Sequence, residues 1–218
     1  MKATVWLLAT AVLLCSCATP FIERAHDSAG VSGGLGAGTN AGVDLDRIIS
    51  DNPPAGAWNL NGTAFVRWRT SHRSSMSVQA GFTTTLPHNE PGYGEWVRER
   101  VIIDARFGYK HDIGRTSALK YEVGVGYAVA HSFWPYPMPI VSVAYLHDFG
   151  RHFTGRAVLG TDLIALDGSF RFPVARSVQG YLALGVRNQP VTGAYFVSTG
   201  HPLGFTLGLG LAAEGPEA

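Results

Sequence analysis

A hydrophobic period of two residues, sustained over strand-length stretches, restricts the fold of this chain more than any other feature. Between positions 98 and 111, Val101, Ile103, Ala105, Phe107 and Tyr109 share one face, while Arg100, Asp104, Arg106, Gly108 and Lys110 share the other; Ile102 is the misfit. Leu119, Tyr121, Val123, Val125, Tyr127 and Val129 repeat the pattern opposite Lys120, Glu122, Gly124, Gly126 and Ala128. Successive side chains of a strand point to opposite faces, so this period describes a sheet with one apolar side and not a helix. Comparable segments lie near 32–43, 58–70, 75–85, 138–148, 152–161, 166–173, 178–188 and 203–213. The pattern predicts ten strands, with eight as the alternative count, since the first is mostly Gly and Ala and the eighth ends at Pro173. A strand of about 9 to 11 residues crosses a bilayer obliquely, and the two best segments have that length.

The connections alternate in length. Short turns are expected at 71–74, 112–117, 149–151 and 174–177, and longer connectors at 44–57, 86–97, 132–137 and 189–202. Tight turns at one end and long loops at the other suit an all-β fold, an antiparallel up-and-down transmembrane β-barrel of about ten strands. An even strand number returns both termini to the short-turn end. Lys occurs only at 2, 110 and 120, a poor supply for soluble helical surfaces. Without Lys2 the basic and acidic residues are equal in number, which argues against nucleic acid as a partner.

At the N-terminus, Lys2 precedes an apolar run from Ala3 to Cys15 that is too short to span a bilayer but suits the core of a secretory signal. The following Leu14-Cys15-Ser16-Cys17 resembles the lipobox of bacterial lipoprotein precursors. That resemblance implies a signal peptide at 1–16, lipidation of Cys17, a lipid-anchored tether at 17–30 and a barrel domain at 31–218. It also implies the lipoprotein-sorting machinery as a partner, and Ala18 after the cysteine implies onward passage to the outer membrane. Loss of Cys15 and alkylation of Cys17 would leave no disulfide and no Cys-based metal site or nucleophile.

Alternation does not say which face is outside. Gly56-Ala57-Trp58 is similar to the Gly-x-Trp that opens lipocalin domains, soluble barrels with an apolar lining. The polar face, however, carries Gly81, Gly108, Gly124, Gly126, Gly160, Gly185, Gly208 and Gly210 among Thr, Ser and Arg, which suits a narrow lumen better than a wetted surface. Trp58, Trp68, Tyr93, Trp96, Phe133, Trp134, Tyr136 and Phe172 lie near strand ends, where amphipathic rings settle at a membrane interface. In this architecture the chain resembles the small bacterial outer-membrane β-barrel proteins. The resemblance implies membrane lipid and the barrel-assembly machinery as partners. It departs from them at the C-terminus, where the last strand is followed by Glu214-Gly215-Pro216-Glu217-Ala218 and not by a terminal aromatic.

Turning the polar positions inward collects Arg67, Arg69, Arg100, Asp104, Arg106, Lys110, Lys120, Glu122, Arg156, Asp167, Arg171 and Arg187 in the lumen. A barrel of this size is closer to the side-chain-filled class than to open porins, so these charges are expected to form a salt-bridged filling. The 112–117 turn allows two registers, and the attractive one places Arg106 opposite Glu122 instead of Lys110 opposite Lys120. His88, Glu90, Glu95, His131, Ser132, Asp162 and His201 lie in or near the long connectors, His88, His131 and His201 being the rim positions to test for catalysis. Omptin proteases, lipid A deacylases and outer-membrane phospholipases are barrel enzymes of this kind, but none of their motifs is recognisable here. His131 and Ser132 are adjacent and would point to opposite faces of a strand. His147 and His152 flank a turn without a third ligand, and 33–38 is a Gly-rich strand followed by no helix start, so no metal and no cofactor are expected. The expected role is structural or surface-interacting in an outer-membrane lipoprotein. The alternatives are a hydrolase acting on lipid or peptide at the extracellular rim, and a periplasmic lipocalin-like carrier of an apolar ligand.

Overall fold

The computed structural model describes residues 22–27, 30–44, 56–85, 101–129, 137–161, 164–188 and 202–213. Among these residues are ten strands: β1 (Val31–Asp44), β2 (Gly56–Ser71), β3 (Ser74–Thr85), β4 (Val101–Asp112), β5 (Ser117–Val129), β6 (Pro137–Asp148), β7 (Phe153–Gly160), β8 (Ile164–Ala175), β9 (Val178–Asn188) and β10 (Pro202–Ala213). Each pairs antiparallel with its sequence neighbours, and β1 pairs with β10 to close the barrel, so no strand edge is left open. The turns at 72–73, 113–116, 149–152 and 176–177 share one end with the start of β1 and the finish of β10. We call this the short-turn end.

The apolar face points outward. On β4, Ile103 is 53% exposed while Asp104 is buried, and on β5, Val123 is 54% exposed while Glu122 is buried. Phe107, Tyr121, Val125, Val143, Leu166, Phe170, Phe205 and Leu211 extend this exposed apolar surface around the wall. In water such a surface would be strongly unfavourable, whereas acyl chains cover it at no cost in lost hydration. The opposite arrangement, a lipocalin-like barrel lined by apolar side chains, does not occur here: the lining includes Asn61, Thr63, Arg67, Ser77, Asp104, Glu122, Ser142, Asp167 and Ser169.

Glycine on the inward face makes room for the charges. A Cβ at Gly81 would collide with the Asp104 carboxylate at 2.6 Å, and one at Gly108 would meet Ser77 Oγ and Lys120 Cε. Outward glycines have a different use. The rings of Phe82, Phe153 and Phe172 lie across Gly62, Gly168 and Gly180 on the neighbouring strand, covering the bare backbone.

Two expectations are corrected. Residues 22–27, expected to belong to the lipid-anchored tether at 17–30, are packed inside the barrel at the short-turn end. Ile22 joins Phe65, Tyr181 and Ala212, and Ala25 joins Ala118, Ala144, Leu146, Val158, Ala165 and Ala183. Gly30, with φ of 90°, adopts the left-handed conformation between this segment and β1, and a side chain there would be strained. The second correction concerns register: Lys110 pairs with Lys120, and Arg106 pairs with Gly124 instead of Glu122. Both registers put the same residues inside, so the hydrophobic pattern cannot choose between them. The observed one is compatible with like charges because carboxylates from outside the hairpin reach both lysines.

Candidate functional site

Those carboxylates define the most densely built part of the molecule. Arg67 of β2, Lys110 of β4 and Lys120 of β5 project into the lumen at the short-turn end, and both lysines are only 3% exposed. Asp27 accepts from Arg67 Nη1 at 2.6 Å and from Lys110 Nζ at 2.7 Å, and also from the Ser75 hydroxyl. Glu23 accepts from Lys120 Nζ at 2.8 Å and lies 3.9 Å from Arg67 Nε.

The backbone of the segment is held as well. Arg67 Nη2 donates to the Ile22 carbonyl at 3.0 Å, Lys110 Nζ to the Arg24 carbonyl at 2.7 Å and Arg69 Nη1 to the Asp27 carbonyl at 3.1 Å. Farther along the same wall, Asp112 at the end of β4 lies 3.0 Å from His26 Nδ1, and Asp148 at the end of β6 accepts from the Ala25 amide at 3.1 Å. Residues 22–27 are therefore clamped from five consecutive strands, β2 to β6. A buried ion survives only when its lost hydration is replaced by partners, and these contacts supply them. Burial alone raises the Glu23 and Asp27 carboxyls, but the adjacent cations outweigh it. Lys120, Arg67 and Lys110 hold Glu23 below the usual carboxylate value, and Lys110 with Arg67 holds Asp27 well below it.

Deeper in the lumen the pairs are made within the wall. Arg106 donates to Asp104 on the same strand at 2.8 Å, and Arg156 of β7 forks onto Asp167 of β8, its registered neighbour. Glu122 accepts from Lys120 at 2.7 Å and from the Ser142 hydroxyl at 3.1 Å. Back at the short-turn end, Arg171, also buried, donates to the Arg151 carbonyl of the 149–152 turn.

Arg67, Arg69, Asp104, Arg106, Lys110, Lys120, Glu122, Arg156, Asp167 and Arg171 are thus all placed toward the lumen, though not as one cluster. Arg100 and the Arg187 side chain lie outside the described residues, as do Cys17, His88, Glu90, Glu95, His131, Ser132, Asp162 and His201. Of the turn histidines, His147 bonds to Ser117 and His152 to the Arg171 carbonyl. Among the described residues no group of three or more His, Cys, Asp or Glu is arranged to hold a metal. Glu23 and Asp27 were missed by the sequence pattern, although a signal existed: the inward positions carry far more cations than carboxylates, and a buried excess of one sign requires acids from elsewhere.

No protein-family model matches this chain, and no curated protein matches its sequence. Among solved structures, the fold is similar to the translocator domain of autotransporter NalP from Neisseria meningitidis, with a TM-score of 0.51 and 9% identity over 98% of this chain and 97% of that one. An outer membrane channel from Pseudomonas putida F1 is also matched, with a TM-score of 0.45 and 10% identity over 90% of this chain and 99% of that one.

Proposed function

We propose that this chain is an outer-membrane β-barrel lipoprotein whose own N-terminal segment closes its lumen, leaving a structural or surface-interaction role to the long-loop end. The observation that carries this is the seating of Glu23 and Asp27 on Arg67, Lys110 and Lys120 inside a barrel whose outer surface is apolar. A closed ten-stranded barrel with an apolar exterior suits the outer membrane, and its short turns then face the periplasm. The charged, occupied lumen does not suit an apolar cargo, and it leaves little room for bulk conduction.

Lipidation of Cys17 fits the same geometry. The five residue-to-residue steps from Cys17 to Ile22 reach at most about 17 Å, so the acyl chains would enter the leaflet beside the short-turn end. Insertion would pass through the barrel-assembly and lipoprotein-sorting machinery.

Nitroxides at Phe107 and Val125, compared with one at Ser142, test the membrane assignment in the reconstituted protein. The first two should be readily relaxed by oxygen dissolved in acyl chains and the third should not. Equal protection at all three would sink the proposal. Mass spectrometry of the purified mature chain tests the anchor: an acylated N-terminal Cys17 supports it, and an unmodified or differently cut N-terminus refutes it.

A further inference from the structure

The short-turn end carries a second built feature, on the outside of the barrel. Each of its four turns holds one exposed arginine: Arg73, Arg115, Arg151 and Arg176. No described Asp or Glu side chain is exposed, and the carboxylates nearest these turns, Asp112 and Asp148, point inward to His26, Ala25 and Thr154. Among the described residues, the turn arginines therefore present positive charge around the rim without exposed acid between them.

Just inside that rim, two outward clusters repeat the same chemistry. Ser74 Oγ lies 3.0 Å from Tyr109 OH and 3.1 Å from His111 Nδ1. Ser117 Oγ lies 3.0 Å from Tyr145 OH and 2.8 Å from His147 Nδ1. The repetition comes from register, since Ser74 faces His111 across β3–β4 and Ser117 faces His147 across β5–β6. Among the described residues no carboxylate touches either imidazole, so neither Ser–His pair has the third group that orients a catalytic base. Hydroxyls and imidazoles on a lipid-facing wall are costly in the acyl region but not at headgroup depth. Exposed Tyr121, Phe149, Phe153, Phe170 and Phe172 mark the boundary of that depth.

We propose that this rim is a binding belt for the phosphodiester headgroups of anionic phospholipids, with the turn arginines holding phosphate and the Ser–Tyr–His clusters donating hydrogen bonds beneath them. Guanidinium matches phosphate oxygens in charge and in fork geometry, and the belt lies where a bilayer covering the apolar wall must end. The proposal rests on the membrane assignment above.

The test uses the full chain reconstituted into phosphatidylcholine vesicles and into vesicles containing phosphatidylglycerol, with spin-labelled versions of both lipids as probes. One arginine near an anionic lipid contributes about a fivefold preference. Labelled phosphatidylglycerol should therefore be favoured over phosphatidylcholine by about that factor at the protein surface. The R73Q/R115Q/R151Q/R176Q variant should bring the ratio to about one, and Y109F/Y145F should lower it partway. A ratio of one in the unmodified protein, or a ratio the arginine variant leaves unchanged, overturns the proposal. If inorganic phosphate removes the preference while sodium chloride of equal ionic strength does not, the rim is a free-anion site and the lipid assignment is wrong. Heat-modifiable mobility on a gel checks insertion of every sample. Failure to insert in either vesicle refutes the membrane assignment and the belt with it, whereas insertion without lipid preference refutes the belt alone.

Discussion

In the middle of the lumen, Arg106 takes Asp104 from two residues away on one strand, and Arg156 takes Asp167 from the adjacent strand. At the short-turn mouth the wall supplies Arg67, Lys110 and Lys120, and the carboxylates facing Arg67 and Lys110 come from Asp27 and Glu23, outside the wall. The middle layer is balanced by local pairing and stiffens whatever barrel forms. The mouth layer is balanced only when residues 22–27 are seated. The wall is therefore built with a charge deficit that the N-terminal segment fills, which makes that segment part of the barrel's interior and not an appendage.

The difference predicts unequal responses to charge removal. Neutralising the mouth in E23Q/D27N removes the carboxylates that face Arg67 and Lys110 and leaves Lys120 with Glu122 alone, and it should lower the free energy of unfolding from detergent by about 3 to 5 kcal/mol for each carboxylate lost. Denaturant titration followed by heat-modifiable mobility measures it, and a change under about 1 kcal/mol would erase the distinction between layers. In the middle layer, D167N alone should cost about 3 kcal/mol, whereas R156M/D167L, which removes both charges, should come close to neutral. No such rescue by partner removal is expected at the mouth, because each carboxylate there serves more than one cation.

Acid should separate the layers in the same sense. Glu23 faces Lys120 and Glu122 of β5, Arg67 of β2 and Lys110 of β4, and Asp27 faces Arg67, Ser75 of β3 and Lys110. Their folded pKa values lie below those of the unfolded chain. The unfolded state therefore takes up protons first as pH falls. The stabilisation they provide is complete above about pH 5 and is lost progressively below about pH 4, toward the depressed folded values. Proteolysis of the 22–27 segment in the intact barrel, followed against pH, should increase over that window. A pH-independent rate would mean that these carboxylates do not hold the segment. The smallest effect is expected at the pivot: G30A should cost about 1 to 2 kcal/mol through backbone strain alone, since nothing lies within 4 Å of a Cβ there.

What was legible in the sequence follows the same division. The two-residue period of Val101 to Tyr109 and Leu119 to Val129 carried the strands, their number and the connection pattern, because the residues there, Ile102 apart, obey one local rule. The facing of the apolar side was readable from glycines such as Gly81 and Gly108, whose missing side chains leave space for Asp104 and Lys120. The β4–β5 register was not readable, since pairing Lys110 with Lys120 looks repulsive until Asp27 and Glu23 are in place. Residues 22–27 were equally opaque. They lack periodicity because they form no strand, and their structure is dictated by the wall around them.

The most direct test is planar-bilayer conductance of the intact chain against a chain lacking residues 22–27, each first shown to be a folded barrel by its heat-modifiable mobility. The intact protein should be electrically silent at neutral pH. The shortened one should pass anions, drawn by the uncovered Arg67, Lys110 and Lys120. Steady conduction by the intact chain, or silence from a folded barrel without the segment, would contradict the assignment of residues 22–27 as the closure of the lumen.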